Sequence, residues 1–87
     1  MNTTEPMLSE NETNRIQDIV IKQLEVKREQ LTPDARLTED LGADSLDKVE
    51  ITMAIEEEFG VTALDRDVEE VESMQDLYDA VAVMLKR

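Results

Sequence analysis

Ser45 is the side chain in this sequence best placed to do chemistry. It lies in Asp40-Leu41-Gly42-Ala43-Asp44-Ser45-Leu46-Asp47, where a turn delivers a hydroxyl to the opening of an apolar-periodic segment. The chain contains no His and no Cys, so His-based catalysis and His/Cys metal sites are absent. With no His available as base and no oxyanion-hole motif, hydrolysis by this serine is not expected. At the first turn of a helix, however, it stands beside backbone N–H groups that lack intrahelical partners, a setting that suits an anionic oxygen such as phosphate. The chemistry that fits is acceptance of a group installed by another enzyme. The plainer alternative is that Ser45 only caps the helix, since serine is a preferred capping residue.

Carboxylates supply the other reactive groups. Twenty-two acidic residues against nine basic ones give a formal net charge of −13. Such a surface works against nucleic acids and anionic membranes, both of which need cationic contacts. It favours basic protein partners, met quickly through electrostatic steering. Nothing in the spacing pairs an acid with a base across a cleft, so no turnover is expected of the isolated chain. Asp65, Asp67 and Glu69 begin an EF-hand spacing, but Glu70 stands where the loop needs glycine and Asp76 where it needs glutamate. No metal site is expected.

The elements that must position Ser45 follow from hydrophobic periodicity. Eighty-seven residues make one small domain with a thin core. Phe59 and Tyr78 are the only aromatic residues, so Leu, Ile, Val and Met must build the interior. Two Gly and two Pro leave little material for tight hairpins. The pattern predicts an all-α four-helix bundle with three longer helices, one short third helix and a long first loop. Residues 1–8 read as a flexible N-terminal lead-in and residues 9–87 as the domain. No apolar run spans a bilayer and no signal-peptide pattern is present, which makes a cytoplasmic monomer without membrane insertion the default expectation.

Ser9-Glu10-Asn11-Glu12 reads as a capping box, followed by Ile16, Ile19, Val20, Gln23 and Leu24 on one face of a helix to about Glu25. Thr32-Pro33-Asp34 marks a turn inside the loop that follows, with Leu31 and Leu37 as its anchors. This loop and the short third helix carry the fewest apolar anchors and are expected to open most easily. The second helix runs from Asp44 to Phe59, with Asp44 as cap, Asp47 in the first turn and Gly60 as terminator. A short helix over 65–71 carries Val68 and Val71. Ser73 opens a last helix that buries Leu77, Ala80, Val81, Met84 and Leu85, with Lys86 and Arg87 at its negative end.

The second helix has two apolar stripes. Ile51, Ile55 and Phe59 recur at four-residue spacing on one face, whereas Leu46, Val49 and Met53 cluster on nearly the opposite one. A bundle of this size does not easily surround both. Ile51, Ile55 and Phe59 are therefore expected in the core. Leu46, Val49 and Met53 are expected to be partly exposed, between Glu50 and Glu57 on one flank and Glu56 on the other. Apolar anchors within an acidic rim are the pattern of a transient docking surface.

These residues together resemble an acyl carrier protein. The resemblance rests on Asp40 to Asp47, then Val49-Glu50, then Met53-Ala54-Ile55-Glu56-Glu57-Glu58-Phe59, and extends from about Ile16 to the end of the chain. It implies that Ser45 carries 4′-phosphopantetheine, transferred from coenzyme A by a phosphopantetheinyl transferase, with Asp44 and Leu46 flanking the attachment. Acyl chains would ride as thioesters on the prosthetic thiol and tuck between the helices, in fatty acid or related lipid or polyketide biosynthesis. Asp47, Val49, Glu50, Met53, Glu56 and Glu57 would meet acyl-chain synthesis and transfer enzymes that present basic docking patches. The chain departs from the common pattern at Leu37, Lys48, Ala63-Leu64, Arg66 and Val68-Glu69-Glu70-Val71. A peptidyl or aminoacyl carrier would use the same serine, and an unmodified acidic interaction module is the alternative of another class.

Overall fold

A computed structural model describes residues 8–86 of the chain. The expected lead-in falls outside them except for Leu8, which packs against the core rather than trailing from it. Arg87 also lies outside. Among the described residues the fold is four helices without a strand: α1 (Glu10–Leu24), α2 (Ser45–Phe59), the short α3 (Asp65–Glu69) and α4 (Met74–Lys86).

Each start is written in side chains. Ser9 Oγ accepts from the Glu12 N–H at 3.1 Å while Glu12 Oε1 accepts from the Ser9 N–H at 2.9 Å, the reciprocal capping box. Ser73 and Asp76 repeat the arrangement at α4. Helix α1 ends where Glu25 turns left-handed (φ 57°) and its N–H returns to the Ile21 carbonyl. Gly60 does the same for α2 at φ 66°, where a Cβ is unfavourable.

The core contains Ile16 and Val20 from α1, Ile51 and Ile55 from α2, and Met74, Leu77, Val81 and Met84 from α4. Ala80 and Leu85 are only partly buried against it. Phe59, expected with Ile51 and Ile55, is half-buried as well. Its ring lies 4.5 Å from the Arg15 guanidinium, which also binds Glu58 Oε2 at 2.7 Å and the Glu58 carbonyl at 3.0 Å. An end-of-helix aromatic thus serves as a seat for a cation that ties α1 to α2.

The first loop differs from expectation in being firmly held. Leu31, Ala35, Leu37, Leu41 and Ala43 are all buried, five anchors instead of the two expected. A 3₁₀ turn over Arg28–Gln30 begins it. The predicted turn is closed by the Ala35 N–H to the Thr32 carbonyl at 3.0 Å. Backbone bonds from Leu37 to Glu72 and from Met74 to Ala35 then lash the loop to the segment before α4. The third helix is shorter than expected, at five residues, and none of them is fully buried. Of the two segments expected to open, only α3 retains a physical basis for doing so.

Candidate functional site

The approach to Ser45 is a sequence of small, specific devices. Asp40 Oδ2 accepts from the Arg36 N–H at 2.8 Å, and that bond, with the Arg36 side chain, holds the Asp40 carboxyl below its ordinary range. Gly42 takes a left-handed turn at φ 79°, after which the Ala43 N–H returns to the Leu37 carbonyl at 2.8 Å and the Ala43 side chain is buried. The chain then emerges at Asp44. Its carboxylate accepts from the Asp47 N–H at 2.8 Å, and Asp47 Oδ2 accepts from the Asp44 N–H at 3.1 Å.

Asp44 is therefore the cap, and Ser45 is not. Ser45 occupies the first helical position, is exposed, and its hydroxyl makes no hydrogen bond among the described residues. An exposed, uncommitted hydroxyl at the positive end of a fifteen-residue helix suits a phosphoryl linkage in two respects. It is reachable by a modifying enzyme, and the negative charge it would then carry is stabilised by the helix N-terminus.

Around it, the predicted residues divide by face. Leu46, Val49 and Met53 are 62%, 47% and 56% exposed, as their stripe implies. Val49 and Met53 line a shallow groove with Glu56, Ala63 and Leu64, between α2 and α3. Leu64, 41% exposed, extends this apolar surface beyond what the helical periodicity indicated, because it sits in the connector, where no period exists to flag it. Glu50 and Glu57 stand on the opposite flank, toward α1. There Gln23 donates to both Asp47 Oδ1 and Glu50 Oε1, and Glu57 shares an open groove with Arg15, Ile19 and Lys22.

Two of the acids also hold backbone. Glu56 Oε2 accepts from the Ala63 N–H at 2.8 Å and so fixes the connector to α3. Asp47 lies below the usual carboxylate range because it accepts from the Asp44 N–H and then from Gln23. The Asp65–Asp67–Glu69 run is helical, and Asp67 Oδ2 accepts from the Leu64 N–H at 2.8 Å, a capping role.

Beneath the site, α2, α3 and α4 enclose a cavity of about 20 Å³. Leu37, Ile51, Ile55, Val68, Val71 and Met84 give it an apolar wall, and Lys48, Thr52 and Asp67 its polar part. It is little larger than one water molecule. The Thr52 hydroxyl donates to the Lys48 carbonyl at 2.9 Å.

A four-helix scaffold with an exposed, uncommitted serine hydroxyl at a helix start fits a domain that bears a covalently attached group. The phosphopantetheine attachment site family matches residues 14–81. The acyl carrier protein of Syntrophobacter fumaroxidans (strain DSM 10017 / MPOB) is 47% identical over 68 residues, covering 78% of this chain and 84% of that protein. The chain belongs to the phosphopantetheine-binding acyl carrier family, and its prosthetic group is covalently attached 4′-phosphopantetheine. That arm supplies a terminal thiol to a chain that has none of its own.

Proposed function

We propose that this protein carries acyl intermediates as thioesters on a 4′-phosphopantetheine arm attached to Ser45, and serves fatty acid or related acyl biosynthesis as a cytoplasmic monomer. The observation that supports the attachment residue is the division of labour at the start of α2. Asp44 does the capping, leaving the Ser45 hydroxyl exposed and uncommitted.

In this reading a phosphopantetheinyl transferase binds the α2 surface and activates Ser45 Oγ. The oxygen attacks the phosphorus of coenzyme A that bears the pantetheine, and the nucleotide portion leaves. The hydroxyl proton passes to a base of the transferase, since the Asp44 and Asp47 carboxylates beside Ser45 are committed to backbone N–H groups of the first turn. The carrier itself then catalyses nothing and is the substrate of successive enzymes. Leu46, Val49, Met53 and Leu64 anchor those enzymes. Asp47, Glu50, Glu56 and Glu57 steer their basic patches into register. The small cavity between α2, α3 and α4 widens to admit the acyl chain, with α3 as the part that gives way, since none of its residues is fully buried.

Cargo class is tested by loading the phosphopantetheinylated protein. Acceptance of fatty acids from an acyl–acyl carrier ligase, with turnover by a fatty-acid condensing enzyme that falls at least several-fold in Glu50→Lys, is the expected result. Loading only by an amino-acid adenylating enzyme would assign a peptidyl carrier instead.

A further inference from the structure

Lys48 is the only basic residue of α2, which otherwise carries Asp47, Glu50, Glu56, Glu57 and Glu58. The arginines of the described structure are largely spent on partners: Arg15 on Glu58, Arg28 on Asp18, Arg36 on Glu39 and Asp40. Lys48 differs. Among the described residues its ammonium has no ion pair and no hydrogen bond. It is also half-buried, and it lines the cavity beneath the site together with Ile51 and Thr52.

Its register places it on the same face of α2 as Ser45, one turn on. Residues three apart on a helix are neighbours on one face, with Cβ atoms about 5–6 Å apart. Helical side chains lean toward the N-terminus, and the four-carbon stem of Lys48 is long enough to reach back over the turn that begins with Ser45. The group attached there brings a phosphodiester anion into the neighbourhood of Asp44 and Asp47, whose charges oppose it. An ammonium on a long stem with no partner of its own is the natural counter-charge.

We propose that Lys48 is a positioning residue for the prosthetic arm: its ammonium pairs with the phosphodiester on Ser45 and holds the root of the arm over the cavity between α2 and α3. The consequence is directional. An arm tethered at its root on the cavity side of α2 starts from a position that favours insertion of its cargo over projection into solvent. Asp67 lines the same cavity from α3 and is the competing partner that the test must separate. The inference rests on Ser45 being the attachment residue.

The experiment uses the phosphopantetheinylated protein, its single modification on Ser45 first verified by peptide mass, and follows the 31P resonance of the phosphodiester. Lys48→Met keeps the apolar stem and removes the charge; Lys48→Arg restores the charge. At low ionic strength the 31P resonance of the parent is expected to differ from that of Lys48→Met. Added NaCl should move the parent toward the variant's position as the pair is screened, and Lys48→Arg should behave like the parent. An exposed ion pair implies up to about a five-fold change in the paired population. Coincident resonances of parent and Lys48→Met at low salt, or a parent resonance indifferent to NaCl, would overturn the proposal while leaving the carrier reading intact. The salt series on the parent needs no variant to fold. Modification at a residue other than Ser45 would overturn both.

Discussion

Ile55 and Met53 are two residues apart on α2 and face opposite ways, which permits a matched perturbation. Changing either to Ala removes three side-chain heavy atoms from the same helix. Ile55 is 1% exposed, so Ile55→Ala both loses transfer energy and leaves a void, a cost of about 2–5 kcal/mol. That is a large share of the roughly 5–15 kcal/mol that holds a small domain together. Met53 is 56% exposed. Full burial of such a side chain is worth about 1.5–3 kcal/mol, so with less than half of it buried the loss is roughly 1 kcal/mol, and the good helix propensity of Ala offsets a little of that. Urea unfolding followed by circular dichroism separates the two through the midpoint at constant slope. The expected ranking is Ile55→Ala far below Met53→Ala, with Met53→Ala near the parent. If Met53→Ala cost as much as Ile55→Ala, the Leu46–Val49–Met53 face would belong to the core and the docking surface would have no basis.

Asp44→Ala removes the cap of α2 and should cost about 1 kcal/mol, lowering the melting temperature by roughly 4–8 °C in a domain of this size; an unchanged melt would mean the hydrogen bond to the Asp47 N–H carries nothing. The Asp47 carboxyl is held below its ordinary value, so its contribution is present above the unfolded value of about 3.9 and is lost as pH falls through the lower folded value. Asp47→Asn should therefore be less stable than the parent at pH 7, with the gap narrowing as the pH is taken down through the acid range, and a gap independent of pH in urea midpoints would refute the linkage. Gly42→Ala places a side chain at φ 79° on the approach to Ser45 and should cost about 1–2 kcal/mol, read as a lower melting temperature. With a net charge of −13, added magnesium should raise the melting temperature by screening self-repulsion, and a flat response would count against it.

Much of this architecture was legible because it is periodic or capped. Ser9, Asp44 and Ser73 announce three helices with side chains that bond their own backbone, and Gly60 ends one where a left-handed turn is needed. The two stripes of α2 could be told apart because only one has acids on both flanks. What the periodicity did not carry was the irregular part. Ala35, Leu41 and Ala43 lie in a loop without a repeat, so their burial, and with it the firmness of the loop, is a product of tertiary packing. Leu64 and the bond from the Ala63 N–H to Glu56 belong to a connector, and the half-buried Phe59 reflects an aromatic held by Arg15 from another helix. None of these has a local signal. The distinction that matters most at the site, Asp44 as cap and Ser45 as an uncommitted hydroxyl, was open in the sequence, where both residues suit the role.

Every role proposed for the α2 surface depends on Ser45 bearing the arm. The most direct measurement incubates the unmodified protein with coenzyme A and a broad-specificity phosphopantetheinyl transferase, and compares its intact mass with that of a Ser45→Ala control. The expected result is the gain of one phosphopantetheine on the parent and none on the control, with both folded by circular dichroism. An unmodified, folded parent that gains no mass, or a control that gains as much as the parent, would contradict it.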